Sequence, residues 1–320
     1  MSPEAGGLLT LAELEEAAAG LRGVAVRTPL LESPALSDAA GVPVYLKLEN
    51  QQPTGAFKLR GAWTALRRLP EEQRKRGVIT YSSGNHGQAL AFAAKRMGIR
   101  AVIVMPETAP AAKVEGVKRW DGEVVFAGTT SEDRYEKAML LAREQGLAVI
   151  PPFDHRDIVA GQGTVGLEIL DQLPEVTDIA APVGGGGLAG GIAAALRARQ
   201  PKVRLTAVEP EGAAALKAAL AAGRPVRLER TFSVADGLLP LAVGAIPFLH
   251  LRDFAHSVTV SEAAIVEATR WLCYQQKLVV EPSGAVTTAA LRSGAFRPSG
   301  PTVLVVSGGN IDPAAIAQLA

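Results

Sequence analysis

The chain has 320 residues, enough for about two domains at roughly 150 residues each. Apolar residues make up 48% and charged residues 20%, which excludes a disordered chain. The 33 basic and 32 acidic side chains leave a formal net charge of +1 with no long single-sign run, which excludes a nucleic-acid footprint. A single cysteine, Cys273, excludes a disulfide framework or Cys-based zinc site and predicts a reducing, cytoplasmic setting.

The N-terminus is acidic where a secretory signal needs basic residues, so MSPEAGGLLTLAELEEAAAG reads as a short helix. A strand–helix alternation follows. VITYS (78–82) is a strand and 88–97 a helix closed by Gly98; AVIVM (101–105) is the next strand. Then come a helix near 110–120, strand 123–126, helix 131–145, strand 147–150 and a stop at Pro151-Pro152. Helix 162–173, strand 177–183, helix 188–199, strand 203–209 and helix 212–222 form a third group. Strand 257–260, helices 261–276 and 284–292, strand 302–306 and helix 313–319 complete the chain. Unbroken Val/Ile strands between amphipathic helices predict parallel sheets covered on both faces. The uncharged stretch Ile179 to Leu196 holds six glycines and a proline, a poor membrane span.

In such sheets ligands gather at strand carboxyl ends beside helix N-termini, and four turns there carry chemistry-bearing residues. Lys58 follows Pro53-Thr54-Gly55 and Phe57 in the first turn of a helix, where partial burial and the helix dipole would depress its pKa and favour a Schiff-base nucleophile. As an isolated lysine it reads as a solvated helix start, and the turn alone does not overturn that. Ser82-Ser83-Gly84-Asn85-His86-Gly87 opens the next helix, a carboxylate site or a simple cap. Gly184 to Gly187 could offer N–H groups to a phosphate. Gly185, Gly187 and Gly190 also fit a dinucleotide fingerprint, with Glu209 as its acidic residue. Ser307-Gly-Gly-Asn310 ends a buried strand, with Ser307 placed to meet a heteroaromatic nitrogen or to cap a helix. The chain has three asparagines, Asn50, Asn85 and Asn310, and each flanks such a turn.

Taken together, PTGAFKLRGA (53–62), SSGNHGQALA (82–91), PPFDHRDIVAGQGTVGLEIL (151–170), PVGGGGL (182–188), VEP (208–210), ADG (235–237) and SGGN (307–310) resemble the serine/threonine dehydratase and serine racemase group of fold type II pyridoxal-phosphate enzymes. The resemblance implies an α/β protein of two parallel-sheet, three-layer domains, similar to the tryptophan synthase β chain. The large domain would comprise 1–76 and 152–320, and the small inserted one 77–151. It implies that Lys58 binds the cofactor aldehyde and takes the Cα proton, and that Gly184, Gly185, Gly186, Gly187 and the Leu188 amide hold its phosphate. Asn85 would face the ring hydroxyl, Ser307 the pyridine nitrogen, and Phe57 and Gly237 would line the ring. Ser82, Ser83, Asn85 and His86 would hold the substrate carboxylate, with Arg134 approaching on closure. Ser83 is the position that serves racemases as a second acid/base.

The implied activity is L-threonine/L-serine ammonia-lyase, with a serine racemase as the alternative. A dinucleotide oxidoreductase leaves Lys58 and SSGNHG without a role, and a non-catalytic amino-acid sensor leaves a complete lysine and phosphate loop. Phe153, where racemases commonly carry Asn, favours the lyase. Ala215 stands where metal-binding racemases carry Asp, which speaks against a divalent ion at Glu209 and for a structural Glu209, while a divalent or monovalent cation stays an open expectation. The expected partners are an amino-acid substrate and further copies of the chain as a homodimer or homotetramer, without nucleic acid or membrane.

Overall fold

A computed structural model describes residues 7–82 and 84–318. Ten strands run β1 (Leu30–Glu32), β2 (Val44–Leu48), β3 (Val78–Thr80), β4 (Ala101–Met105), β5 (Glu123–Phe126), β6 (Ala148–Val149), β7 (Asp178–Pro182), β8 (Arg204–Pro210), β9 (Ala255–Val260) and β10 (Thr302–Val306) among these residues. The helices are α1 (Leu11–Gly20), α2 (Pro34–Ala40), α3 (Lys58–Arg68), α4 (Glu71–Arg76), α5 (Asn85–Met97), α6 (Ala111–Lys118) and α7 (Ser131–Gln145) in the first half. The second half adds α8 (Arg156–Gln172), α9 (Gly187–Arg199), α10 (Ala215–Ala222), α11 (Ala245–Leu251), α12 (Glu262–Tyr274), α13 (Pro282–Arg292) and α14 (Pro313–Gln318).

The strands form a six-stranded sheet in the order β1-β2-β10-β7-β8-β9 and a four-stranded sheet in the order β5-β4-β3-β6. Every pairing is parallel except β1 with β2, so the large sheet has one antiparallel edge that the alternation did not predict. One apolar cluster joins the large sheet to α8 and α9, and another covers its opposite face with α12 and α13. This two-sided burial explains why β10 reads as an unbroken apolar run, Thr-Val-Leu-Val-Val. The small sheet is covered likewise, by α5 on one face and α7 on the other.

Helix starts depart most from the expectations. Helix α5 begins at Asn85, with Gly84 as its N-cap, so Asn85 and His86 belong to its first turn. Helix α8 begins at Arg156, where the His155 side chain accepts from the Asp157 N–H at 3.2 Å. The expected helix 212–222 divides into a 3-10 turn at Glu211–Ala213 and α10. The final expected residue of helix 313–319 lies outside the described residues. Among the described residues no helix is long and apolar enough to cross a membrane. The stretch from Ile179 to Leu196 is instead β7, a glycine turn and most of α9.

Candidate active site

The order β2-β10-β7 sets three of the four motif turns side by side at strand carboxyl ends. Leu48 is in register with Val306, so the chain leaving β2 toward Lys58 lies beside the chain leaving β10 at Ser307. Backbone bonds join the two turns: Phe57 N–H donates to the Ser307 carbonyl at 3.1 Å, and Gly309 N–H to the Gly55 carbonyl at 2.9 Å. Gly55 has φ +72°, and a Cβ there would collide with the Asn310 side chain. The position therefore requires glycine on both conformational and steric grounds.

Lys58 is the first residue of α3. Its amine donates to the Pro152 carbonyl at 2.7 Å and lies 5.1 Å from the Phe57 ring centroid. Burial lowers its pKa to about 8, against the opposing pull of the Glu281 carboxylate. An appreciable neutral fraction near physiological pH is what a Schiff-base nucleophile needs.

The third turn supplies an anion cradle. Gly186 is the left-handed N-cap of α9, at φ 88°, and no side chain caps the helix. The first-turn N–H groups at Gly187 and Leu188 thus have no capping side chain. A Cβ at Gly185 would enter the Phe153 ring, and one at Gly184 would press on Leu238 and Gly237. Gly237 donates its N–H to Ser283 Oγ at 2.9 Å, while the buried Ser307 hydroxyl makes only a long 3.5 Å contact with the Ser283 carbonyl. Ser307 thus retains hydrogen-bonding capacity for a heteroaromatic nitrogen.

Asn85 leans across to this group from the small sheet. Its Nδ2 donates to Glu281 Oε1 at 2.6 Å, and its Oδ1 accepts from Asn310 Nδ2 at 2.8 Å. Neither Asn85 nor Ser82 caps α5; Ser82 Oγ accepts weakly from Gly84 N–H at 3.4 Å. His86 is buried, with Nε2 3.1 Å from the Ile150 carbonyl. A carbonyl only accepts, so Nε2 carries the proton and Nδ1, without a partner among the described residues, is a bare acceptor. Burial and the nearby Lys58 charge push the His86 pKa down to about 3. A carboxylate at this turn would therefore meet main-chain N–H groups rather than the imidazole. Ser83 lies outside the described residues. Arg134, on α7, donates to Ser131 Oγ at 2.8 Å, within its own helix. Its neighbour Tyr135 packs edge-on to Tyr81, 5.2 Å between centroids, just before Ser82.

Two features escaped the sequence reading. Glu281, the N-cap residue of α13, is 6% exposed, and burial and Asp236 raise its pKa to about 7 against Asn85, Lys113 and Lys58. Its only sequence cue is a carboxylate inside the apolar run before Pro282. The second is an ion cluster beneath α3. Arg60 engages Glu49 at 2.8 Å and Glu168 at 2.7 Å, and Lys47 bonds Glu168 at 2.6 Å. Lys47, Glu49 and Arg60 are all buried. Across the site, Lys113 of α6 pairs with Asp236, next to Gly237. Glu209 accepts from the N–H groups of Leu216 at 2.7 Å and Lys217 at 2.9 Å and from Ser257 Oγ at 2.9 Å, which makes it the anchor of α10. Burial raises its pKa, tempered by those bonds.

A depressed-pKa lysine, a glycine cradle and a buried hydroxyl on three adjacent strand ends mark an enzyme built around a phosphate-bearing aldehyde. The sequence profile "Pyridoxal-phosphate dependent enzyme" matches residues 21–308. The L-threonine ammonia-lyase of Thermotoga maritima is 39% identical over 306 residues, covering 95% of this chain and 76% of that protein. The L-threo-3-hydroxyaspartate ammonia-lyase of a Pseudomonas species is 40% identical, covering 93% of this chain and 94% of that protein. The structure of maize serine racemase superposes with a TM-score of 0.93 at 37% identity, covering 97% of this chain and 96% of that one. The chain belongs to the pyridoxal-phosphate-dependent enzyme family, in the fold type II architecture, and its cofactor is pyridoxal 5'-phosphate. The residues present fit that group: a four-glycine turn opens α9 with no capping side chain, and the Lys58 amine donates to the carbonyl of Pro152, next to Phe153, which lies against Gly185.

Proposed function

We propose that this enzyme is an L-threonine/L-serine ammonia-lyase, carried by the single observation that Phe153 packs on the glycine turn where racemases commonly carry Asn. When bound, the cofactor supplies the aldehyde that takes up the substrate amine and the π-system that spreads the charge left at Cα. Lys58 then removes the Cα proton and, as an ammonium, returns one to the departing β-hydroxyl. The Cα–H and Cβ–O bonds break and water leaves. The released enamine hydrolyses to a 2-oxo acid and ammonia.

One shuttling base suffices for this elimination, whereas racemisation needs a second acid/base on the opposite face. His86, neutral and turned to Ile150, does not supply one, but Ser83 stands at the position that serves racemases for it, so the choice between the two readings falls to Phe153. Phe153, where racemases commonly carry Asn, packs its ring on Gly185 and supports the lyase. Main-chain N–H groups at the start of α5 and the Ser82 hydroxyl hold the substrate carboxylate. The test incubates cofactor-loaded protein with L-threonine and L-serine and measures 2-oxo acid against D-enantiomer. Predominant 2-oxo acid is expected; D-serine as the main product would establish the racemase instead.

A further inference from the structure

The chain's three asparagines converge on one patch. Asn50 Nδ2 donates to the Val279 carbonyl at 3.0 Å, Asn85 Nδ2 to Glu281, and Asn310 Nδ2 to the Thr54 carbonyl at 2.8 Å. An isolated amide can turn either end toward a ligand. The Asn85 amide is held from both sides. The Thr54 carbonyl accepts and cannot donate, so it fixes the Asn310 NH2, whose second hydrogen reaches Asn85 Oδ1 at 2.8 Å. At the other end a carboxylate, also acceptor-only when ionised, takes one hydrogen of Asn85 Nδ2 at 2.6 Å. One N–H of Asn85 remains uncommitted by these bonds.

We propose that Glu281 is a positioning residue that, with Asn310, locks the Asn85 amide so that it presents an N–H, never its carbonyl, to the cofactor's ring oxygen. The inference rests on the reading that Asn85 faces that oxygen. Thr54 and Asn310 follow β2 and β10, and Glu281 N–H donates to the Gly308 carbonyl beside them, whereas Asn85 opens a helix on the small sheet, so the lock forms only where the two sheets meet. An N–H aimed at the ring oxygen favours its ionised form and strengthens cofactor binding. The carboxylate's other charged neighbours are Asp236, Lys113 and Lys58, and all three remain in the variants below.

The test is a double-mutant cycle in cofactor affinity, joined to a pH titration of the bound chromophore. Glu281→Gln, nearly isosteric, replaces the acceptor-only partner by one that can also donate. Its affinity should fall about tenfold in the native background, the effect of one charge-assisted hydrogen bond. The ring oxygen should ionise at higher pH. In an Asn85→Ala background the same substitution should change affinity less than about twofold, because the residue it acts through is gone. Equal losses in both backgrounds, or no loss in the native one, would overturn the lock. Should Asn85→Ala alone leave affinity and titration unchanged, the placement of Asn85 on the ring oxygen is itself wrong. Glu281→Met, which removes the acceptor without a buried charge, repeats the cycle if the glutamine variant folds poorly.

Discussion

Lys58 Nζ donates to the main-chain carbonyl of Pro152 at 2.7 Å, tying the first residue of α3 to the stretch just beyond β6. The bond holds the amine in place, and burial makes it a better nucleophile than an exposed lysine. Only the neutral amine attacks an aldehyde. Capture of free pyridoxal phosphate by cofactor-free protein should therefore accelerate about tenfold per pH unit up to about pH 8 and level off above it. Stopped-flow absorbance checks this; a rise continuing to pH 10 would mean an amine in its ordinary range. The same shift gives a stability signature. Between about 8 and the ordinary 10.5 the unfolded chain holds the extra proton, so this group raises stability as pH climbs through that window.

The cluster of Arg60, Glu49, Glu168 and Lys47 holds α3, and hence Lys58, against β2 and α8. Its two positive and two negative charges balance, so loss of one member strands the rest. Arg60→Leu should cost about 3–5 kcal/mol, the cost of breaking a buried pair from one side. Denaturant unfolding of the cofactor-free protein measures it, and a cost below about 1 kcal/mol would show that the cluster does not anchor the helix.

His86 titrates at about 3 in the fold against an ordinary 6.5. Between those values the unfolded chain binds the proton and the native one does not, so stability falls as pH drops from 6.5 toward 3. The contribution is one proton, roughly 1.4 kcal/mol per pH unit. His86→Gln, whose amide can still donate to the Ile150 carbonyl, should flatten the acid limb by that slope in urea melts at successive pH values. An unchanged limb would place the acid sensitivity elsewhere.

Much of this architecture was legible because buried parallel strands announce themselves. The readings of β4 (Ala101–Met105), β5 (Glu123–Phe126), β10 (Thr302–Val306) and α7 (Ser131–Gln145) agree with the structure at both ends. Helix α8 starts at Arg156, six residues before the expected start at 162, and Gly161 and Gly163 lie at that point. In the fold they are contact points: a Cβ at Gly161 would strike the Arg60 carbonyl, and one at Gly163 the Gly191 carbonyl. That reason is tertiary and leaves no local trace. The same holds for Glu281, which is 196 residues from Asn85 in sequence. Lys58, Asn85, the glycine turn and Ser307 were visible because each follows a strand; Glu281 sits at the N-cap position of α13 with no strand before it and has no such cue.

The central claim is that one amine, at Lys58, carries the cofactor. Borohydride reduction of the cofactor-loaded protein followed by peptide mass mapping tests it most directly. The account predicts a single pyridoxyl adduct on the peptide containing Phe57-Lys58, absent from Lys58→Ala. An adduct on another lysine, or none in protein that has bound the cofactor, would contradict it.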